Sequence, residues 1–193
     1  MKNTEIVMTL RIADSALQEQ LWKIYEQSFA GKEVECAQNQ KCYDRDGFLA
    51  ALTDRDYVKY YLVSDGLVAA YMLSTNNLAK ASVTYMNPER YAGLFPDFAP
   101  DRIYYCTSLA VAPGMRSQRH FYNLMSCYLE NVLVMRKGMH AFDFSHETIP
   151  NLPAVLIKIG KRLADEGKLR APFIYAKVGA QEFGALIPPK TTE

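Results

Sequence analysis

Apolar residues recur along this chain with two different periods, and the switches between them lay out its elements. Glu5–Ile12 alternates, as a strand with one buried face does. Leu17, Leu21, Ile24, Tyr25 and Phe29 then fall on one face of a helix. Asp14 or Ser15 is placed to cap it, Ser15 and Gln18 have capping-box spacing, and Gly31 supplies a stop. A polar loop, Lys32–Lys41, leads to a short helix from about Asp44 to Leu52 that turns Phe48, Leu49 and Leu52 inward. Tyr57–Ser64 and Leu67–Ser74 are strand-like and flank Asp65-Gly66, a dipeptide suited to a two-residue hairpin turn whose central residues both need positive φ. Asn76–Pro100 is irregular. Ile103–Val111 is a continuous apolar run, as in a strand buried on both faces, and Pro113-Gly114 ends it.

Ser117 can cap a long helix, Gln118–Met135, with Phe121, Leu124, Met125, Tyr128 and Val132 on one face. Ala141–Ser145 reads as a short strand, Asn151–Ala164 as a second amphipathic helix, and Ala171–Val178 and Glu182–Leu186 as closing strands. The order β-α-α-β-β-β-α-β-α-β-β contains both hairpins and crossovers. It predicts an α/β fold: one domain over 1–193, with a mixed, mostly antiparallel sheet of six to seven strands flanked by helices.

Composition narrows the class without naming a chemistry. The 193 residues are 49% hydrophobic and 22% charged, which excludes a disordered or fibrous chain. Twenty-two basic against 21 acidic side chains leave a net charge of +1, so no global field draws nucleic acid or an anionic membrane. The one basic cluster, Lys158, Lys161, Arg162, Lys168 and Arg170, is interrupted by Asp165 and Glu166 and reads as a solvated helix face. Glu5 stands where a signal peptide needs its apolar run, and the charge-free stretches Gly66–Ala79 and Ile103–Met115 are shorter than the ~18 residues of a membrane span. A cytoplasmic protein is expected. Cys36, Cys42, Cys106 and Cys127 form no C-x-x-C pair and have no matching histidine spacing, so no metal site is expected. Cys106 and Cys127 read as small core residues. Cys36 and Cys42 share a polar loop where a disulfide is feasible but disfavoured in a reducing compartment.

The element order, with Leu109-Ala110-Val111-Ala112-Pro113-Gly114-Met115-Arg116 between a buried strand and a long helix, resembles the GNAT superfamily of acyl-CoA N-acyltransferases. The family pattern there is L-x-V-x-P, two residues, Arg or Gln, then x-x-G-x-G/A, and Leu109, Val111, Pro113 and Arg116 stand at the matching offsets. The hairpin Tyr61–Tyr71 is similar to the family's second and third strands, and Asn151 with Ala154 to its N-x-x-A. The resemblance runs from about Glu5 to Leu186.

It implies transfer of an acyl group from a phosphopantetheine thioester to a small amine. Acyl-CoA or acetyl-CoA would be the co-substrate, or an acyl carrier protein the donor. Arg116, Ser117, Gln118 and Arg119, with His120 and Phe121 in the same turn, would meet the donor's phosphate region, and the edge of Leu109–Val111 would pair with the pantetheine amides. The departures are specific. Arg119 and Phe121 replace glycines, Thr107 stands where many members carry a glutamate base, and Lys158 where many carry a tyrosine. Backbone N–H groups at a helix N-terminus hold a pyrophosphate, and side chains obstruct its approach. The segment 116–121 is therefore either a modified cradle, with Phe121 crowding it, or a capped helix start with solvated arginines. A carrier-protein donor, bringing a single phosphodiester, would suit the missing glycines. The departures also admit a second function: a catalytically degenerate GNAT-like domain that binds or regulates.

His146, with Glu147, follows the short strand and is a candidate base for the amine, or a loop histidine capping the next turn. Thr107 and Ser108 are mid-strand hydroxyls that either fill the core or hydrogen-bond a substrate. Ser108 lacks a Gly-x-Ser-x-Gly elbow, which argues against a serine hydrolase. His120 is expected to face solvent from the first helical turn, and His140 to be exposed before its strand. Tyr85, Tyr91, Phe95 and Phe98 either pin the Asn76–Pro100 segment to the sheet or cover an apolar substrate.

Overall fold

The computed structural model describes residues 4–29, 42–81, 93–115, 118–143, 151–171, 174–177 and 183–187. Its elements follow the predicted order: β1 (Thr4–Thr9), α1 (Ser15–Phe29), α2 (Arg45–Thr53), β2 (Tyr57–Ser64), β3 (Leu67–Thr75), β4 (Ile103–Val111), α3 (Gln118–Leu129), β5 (Met139–Asp143), α4 (Leu152–Asp165), β6 (Ile174–Lys177) and β7 (Phe183–Ile187). The cap of α1 is Asp14, whose Oδ1 accepts from the Leu17 amide at 2.8 Å. Gln18 donates to the Ile12 carbonyl at 2.8 Å rather than closing a box with Ser15. Asp44 caps α2 through the Gly47 amide at 2.7 Å. Asp65 and Gly66 take φ of 53° and 81°, the positive values the β2–β3 turn requires.

All seven strands form one sheet in the order β1-β2-β3-β4-β5-β7-β6. Five of the six pairings are antiparallel; the exception is β4 with β5. That parallel pairing holds only Ile103 to Met139, Tyr104 to His140 and Tyr105 to Ala141. β4 then runs six residues further, to Val111, with β3 along one edge and no strand among the described residues along the other. On the β3 side, Ser108 stands opposite Leu73 and Cys106 opposite Ser74, so Thr107 is an extra residue, a bulge. A bulge bends its strand and sharpens the local twist. Here it lies two residues past the last β5 pairing, so β4 bends where it leaves β5 and the two strands make a fork.

Helices cover both sides of the sheet. On one, Leu124, Met125, Tyr128 and Val132 of the α3 region and Leu156, Ile159 and Leu163 of α4 bury Tyr60, Leu62, Met72, Tyr104 and Phe142. On the other, Leu21, Ile24 and Tyr25 of α1 and Phe48, Ala51 and Leu52 of α2 bury Tyr57, Tyr71, Leu73 and Ala110. Lys59 is 1% exposed, and its ammonium donates to the carbonyls of Leu10 at 2.9 Å, Tyr57 at 2.8 Å and Asp54. Three N–H donors on three carbonyls hold the ends of β1 and α2 against β2, the condition under which a lysine can be buried.

Two expectations are corrected here. The helix predicted over Gln118–Met135 is α-helical only to Leu129; Glu130–Met135 is a wider π-turn. In it Asn131 accepts from the Tyr60 hydroxyl at 2.9 Å and from Arg136 Nε at 3.0 Å. The strand predicted at Ala141–Ser145 begins two residues earlier, at Met139. His140 is therefore inside it and 1% exposed, not ahead of it in solvent. Gly138 makes the entry to this strand possible, since a Cβ there would lie 2.7 Å from both the Arg102 carbonyl and the Tyr104 ring.

Candidate functional site

The fork between β4 and β5 has hydroxyl groups on both of its faces. On the α3 side, the Tyr128 hydroxyl lies 2.9 Å from His140 Nδ1 and 3.0 Å from Ser74 Oγ. All three side chains are buried, and Phe142 stacks on the His140 ring at 4.9 Å. His140 sits one residue before the end of the β4 pairing, and Ser74 is paired with Cys106 just past it. Burial pulls the His140 pKa down to about 3, against a hydrogen bond to the Tyr104 backbone that favours the charged ring. The imidazole is neutral at physiological pH. Tyr128 links the ring's Nδ1 to Ser74 Oγ in one chain of hydrogen bonds, whose direction is set by the tautomer of the ring. Burial also raises the Tyr128 hydroxyl well above its ordinary value. This group therefore holds the fork's base rigid and is not poised to exchange protons near neutrality.

On the α1/α2 side, the Tyr71 hydroxyl and Ser108 Oγ share a hydrogen bond of 2.8 Å. Thr107 Oγ1 reaches only 3.5 Å to the Leu73 carbonyl, at the outer limit of a hydrogen bond. Facing it is Tyr43, whose ring packs against Phe48 and Tyr25. The Tyr43 hydroxyl is buried with no properly directed hydrogen bond. Burial raises its pKa, while the neighbouring hydroxyls of Thr107 and Tyr57 pull the other way. Tyr57 directs its own proton to the Lys80 carbonyl at 2.8 Å. Two hydroxyls thus meet at the bulge with weak or missing partners.

Of the residues singled out from sequence, the structure brings Thr107, Leu109 and Val111 onto the open stretch of β4. Leu109 and Val111 turn half-buried side chains into the α3/α4 core, which leaves their backbone as the fork's edge. Arg116, Ser117 and His146 lie outside the described residues, as do Cys36, Tyr85 and Tyr91. Gln118 is the first residue of α3. Arg119 is exposed on its first turn and lines a groove of about 960 Å³ that it shares with Asn123, Cys127 and Glu130 of the α3 region and Ile6 and Met8 of β1.

Phe121, expected to crowd the cradle, packs instead against the core beneath α3. His120, expected in solvent, is half-buried with Nδ1 2.9 Å from the Met115 carbonyl, which fastens α3 to the preceding turn. Cys106 and Cys127, expected in the core, are both half-buried. Lys158 is exposed on α4. The basic cluster is only partly a solvated face. Lys168 pairs with Glu130 at 2.8 Å and Glu166 at 3.1 Å, and the Arg162 guanidinium lies 5.4 Å from the centre of the Tyr122 ring. Phe95 and Phe98 pack on Ile103, Tyr105, Met139 and Ala141, so they pin their segment to the sheet.

Tyr43, Tyr128 and His140 were not singled out as site residues. A hydroxyl on the apolar face of a long helix is the signal that could have flagged Tyr128, because a buried tyrosine oxygen needs a partner. Nothing local marks Tyr43, which stands just before a helix cap.

Neither a family model nor a curated protein sequence matches the chain. Its architecture does match solved structures. The ribosomal-protein-S18-alanine N-acetyltransferase of Escherichia coli superposes with a TM-score of 0.52 over 99% of this chain and 97% of its own, at 13% identity. An N-acetyltransferase from Staphylococcus aureus Mu50 gives 0.56 over 95% and 96%, at 12% identity. The yncA protein of Salmonella typhimurium, solved with its cofactor acetyl-CoA, gives 0.53 over 97% and 96%, at 15% identity. The chain has the GNAT fold. At these identities the likeness is one of fold.

Proposed function

We propose that this chain is a GNAT-type N-acyltransferase, a single cytoplasmic domain that moves an acyl group from a phosphopantetheine thioester to a small amine. The observation that carries the reading is the fork: β4 and β5 are paired for three residues, and from there to Val111 no strand among the described residues lies along that edge of β4. An extended pantetheine arm with two amides has the shape and the hydrogen-bonding groups to complete such an edge. Arg116, Ser117, Gln118 and Arg119 at the start of α3 receive the donor's phosphate, where backbone N–H groups and positive charge favour an anion. With Phe121 turned into the core, that approach is less crowded than the sequence pattern implies. The donor is acyl-CoA, in keeping with the acetyl-CoA bound by the Salmonella protein, or an acyl carrier protein.

In the reaction the amine nitrogen attacks the thioester carbonyl, the carbon–sulfur bond breaks, and the thiol leaves with the proton that the amine gives up. Holding both reactants in line at the fork supplies much of the acceleration. In this reading Thr107 orients a substrate at the bend, and His146 takes the amine proton on its way to the leaving thiolate.

Melting curves with acetyl-CoA, longer acyl-CoAs, free CoA and acyl carrier protein test the reading. A donor present at about 100 times its Kd adds about 2.7 kcal/mol and raises Tm by several degrees. Arg116→Ala should abolish that shift. No shift with any of the four favours the catalytically degenerate binding domain instead.

A further inference from the structure

We infer that this chain forms a two-fold dimer by pairing the outer edge of β1 with the same edge of a second copy, which joins two seven-stranded sheets into one. The surface lies on the far side of β2 and β3 from the fork, and its pairing is independent of the acyltransferase reading. All six residues of β1 pair with β2, from Thr4 opposite Ser64 to Thr9 opposite Lys59, without a register shift. No strand among the described residues lies along the other edge of β1. An antiparallel strand directs its N–H and C=O groups alternately to either side, so every second residue of β1 presents both groups outward.

Sheet edges that stay in solvent are usually blunted by shortness, a lysine, a proline or a bulge. The opposite edge of this sheet has two of these devices, since β6 is four residues long and ends in Lys177. β1 has none of them: it is longer, regular, and reads Thr-Glu-Ile-Val-Met-Thr. Apolar surface flanks it. Thr4, Ile6 and Met8 form one wall of the groove beside α3, Met135 lines the same groove, and Met8, Leu10 and Met135 are all exposed.

The sequence of β1 favours a second copy as the occupant. Side chains directly opposite each other in an antiparallel pair share a face, so residues on the groove face of one copy meet those on the groove face of the other. The two central registers therefore cross at Ile6 or at Val7. The first sets Ile6 against Ile6, Glu5 against Val7 and Thr4 against Met8. The second sets Val7 against Val7, Ile6 against Met8 and Glu5 against Thr9. In both, apolar side chains meet at the axis, and the one charge of the strand never faces itself. A net charge of +1 adds little repulsion between copies. Both α3 layers then lie on the same side of the joined sheet, and both forks stay open.

Sedimentation equilibrium of the full chain from about 1 μM to about 1 mM, with amide exchange read by mass spectrometry at both ends of that range, tests the pairing. A two-chain species should grow in with concentration, and exchange within Thr4–Thr9 should slow with it by at least about tenfold, while Ile174–Lys177 is unchanged. Met8→Lys puts a blunting charge at an exposed position of the edge. It should weaken dimerisation at least about tenfold and hold the monomer's Tm within ~4 °C. If that variant folds poorly, the exchange measurement on the unaltered chain decides alone. A monomer throughout, a dimer whose formation leaves β1 exchange unmoved, or a dimer equally tight in a folded Met8→Lys would each overturn the inference. A monomer with β1 already protected overturns it too, and gives the edge to a segment of the same chain.

Discussion

Tyr105 and Ala141 are the last residues at which β4 and β5 stand side by side. Past them no strand among the described residues lies along that edge of β4, and in the proposed reaction the pantetheine takes that place. Acetyl-CoA should therefore slow amide hydrogen exchange within Cys106–Val111 while leaving Ile103–Tyr105, already paired with β5, unchanged. Exchange followed by mass spectrometry reads this directly. Equal protection across the whole strand would point to global stabilisation instead.

Arg119 stands exposed on the first turn of α3, where it can face a phosphate. A charge-assisted hydrogen bond of this kind contributes about 1.5–3 kcal/mol. Arg119→Glu should raise the KM for acetyl-CoA by at least about tenfold, with less change in kcat, and steady-state kinetics at fixed amine will show it. An unaltered KM would leave the start of α3 as a plain helix cap.

The buried imidazole of His140 makes stability depend on acid. Unfolded, the ring takes a proton near 6.5; folded, only near 3. Between these values the unfolded state holds more protons, so this contribution is complete above about pH 6.5 and shrinks as pH falls toward 3. Urea unfolding at pH 7 and pH 4.5 should show a loss of a few kcal/mol on acidification. His140→Gln, which does not titrate, should have a visibly shallower pH slope, and an unchanged slope would exclude this ring as its source.

The element order was legible because each helix and strand carries its own periodicity, and the β2–β3 turn because Asp65-Gly66 meets a need few dipeptides meet. The fork was not. Its bulge is a single residue inside a run of buried side chains, where no polar alternation reports a change of face. The start of β5 was misplaced because His140 looks like a surface residue until Tyr128, twelve positions earlier, is seen bonding its ring. Phe121 was read by its position in a loop pattern, whereas its direction is set by the helix beginning at Gln118.

Gly138 and Gly114 offer a matched pair. A Cβ at Gly138 meets a backbone carbonyl and the Tyr104 ring, both at 2.7 Å, but at Gly114 it meets nothing within 4 Å. Gly138→Ala should cost about 1–3 kcal/mol, a loss readable in urea unfolding, because β5 must shift away from β4 to fit it. Gly114→Ala should stay within about 0.5 kcal/mol of wild type.

Thr107 occupies an unusual place in β4. Up to Cys106 the even-numbered side chains face α3; from Ser108 onward the odd-numbered ones do. Deleting Thr107 alone would join those two registers in phase, with Cys106 still opposite Ser74 and Ser108 still opposite Leu73. Every remaining side chain of the strand would keep its face, yet the strand would straighten. The bend that opens the fork is thus a separable trait, carried by one residue that neither core requires.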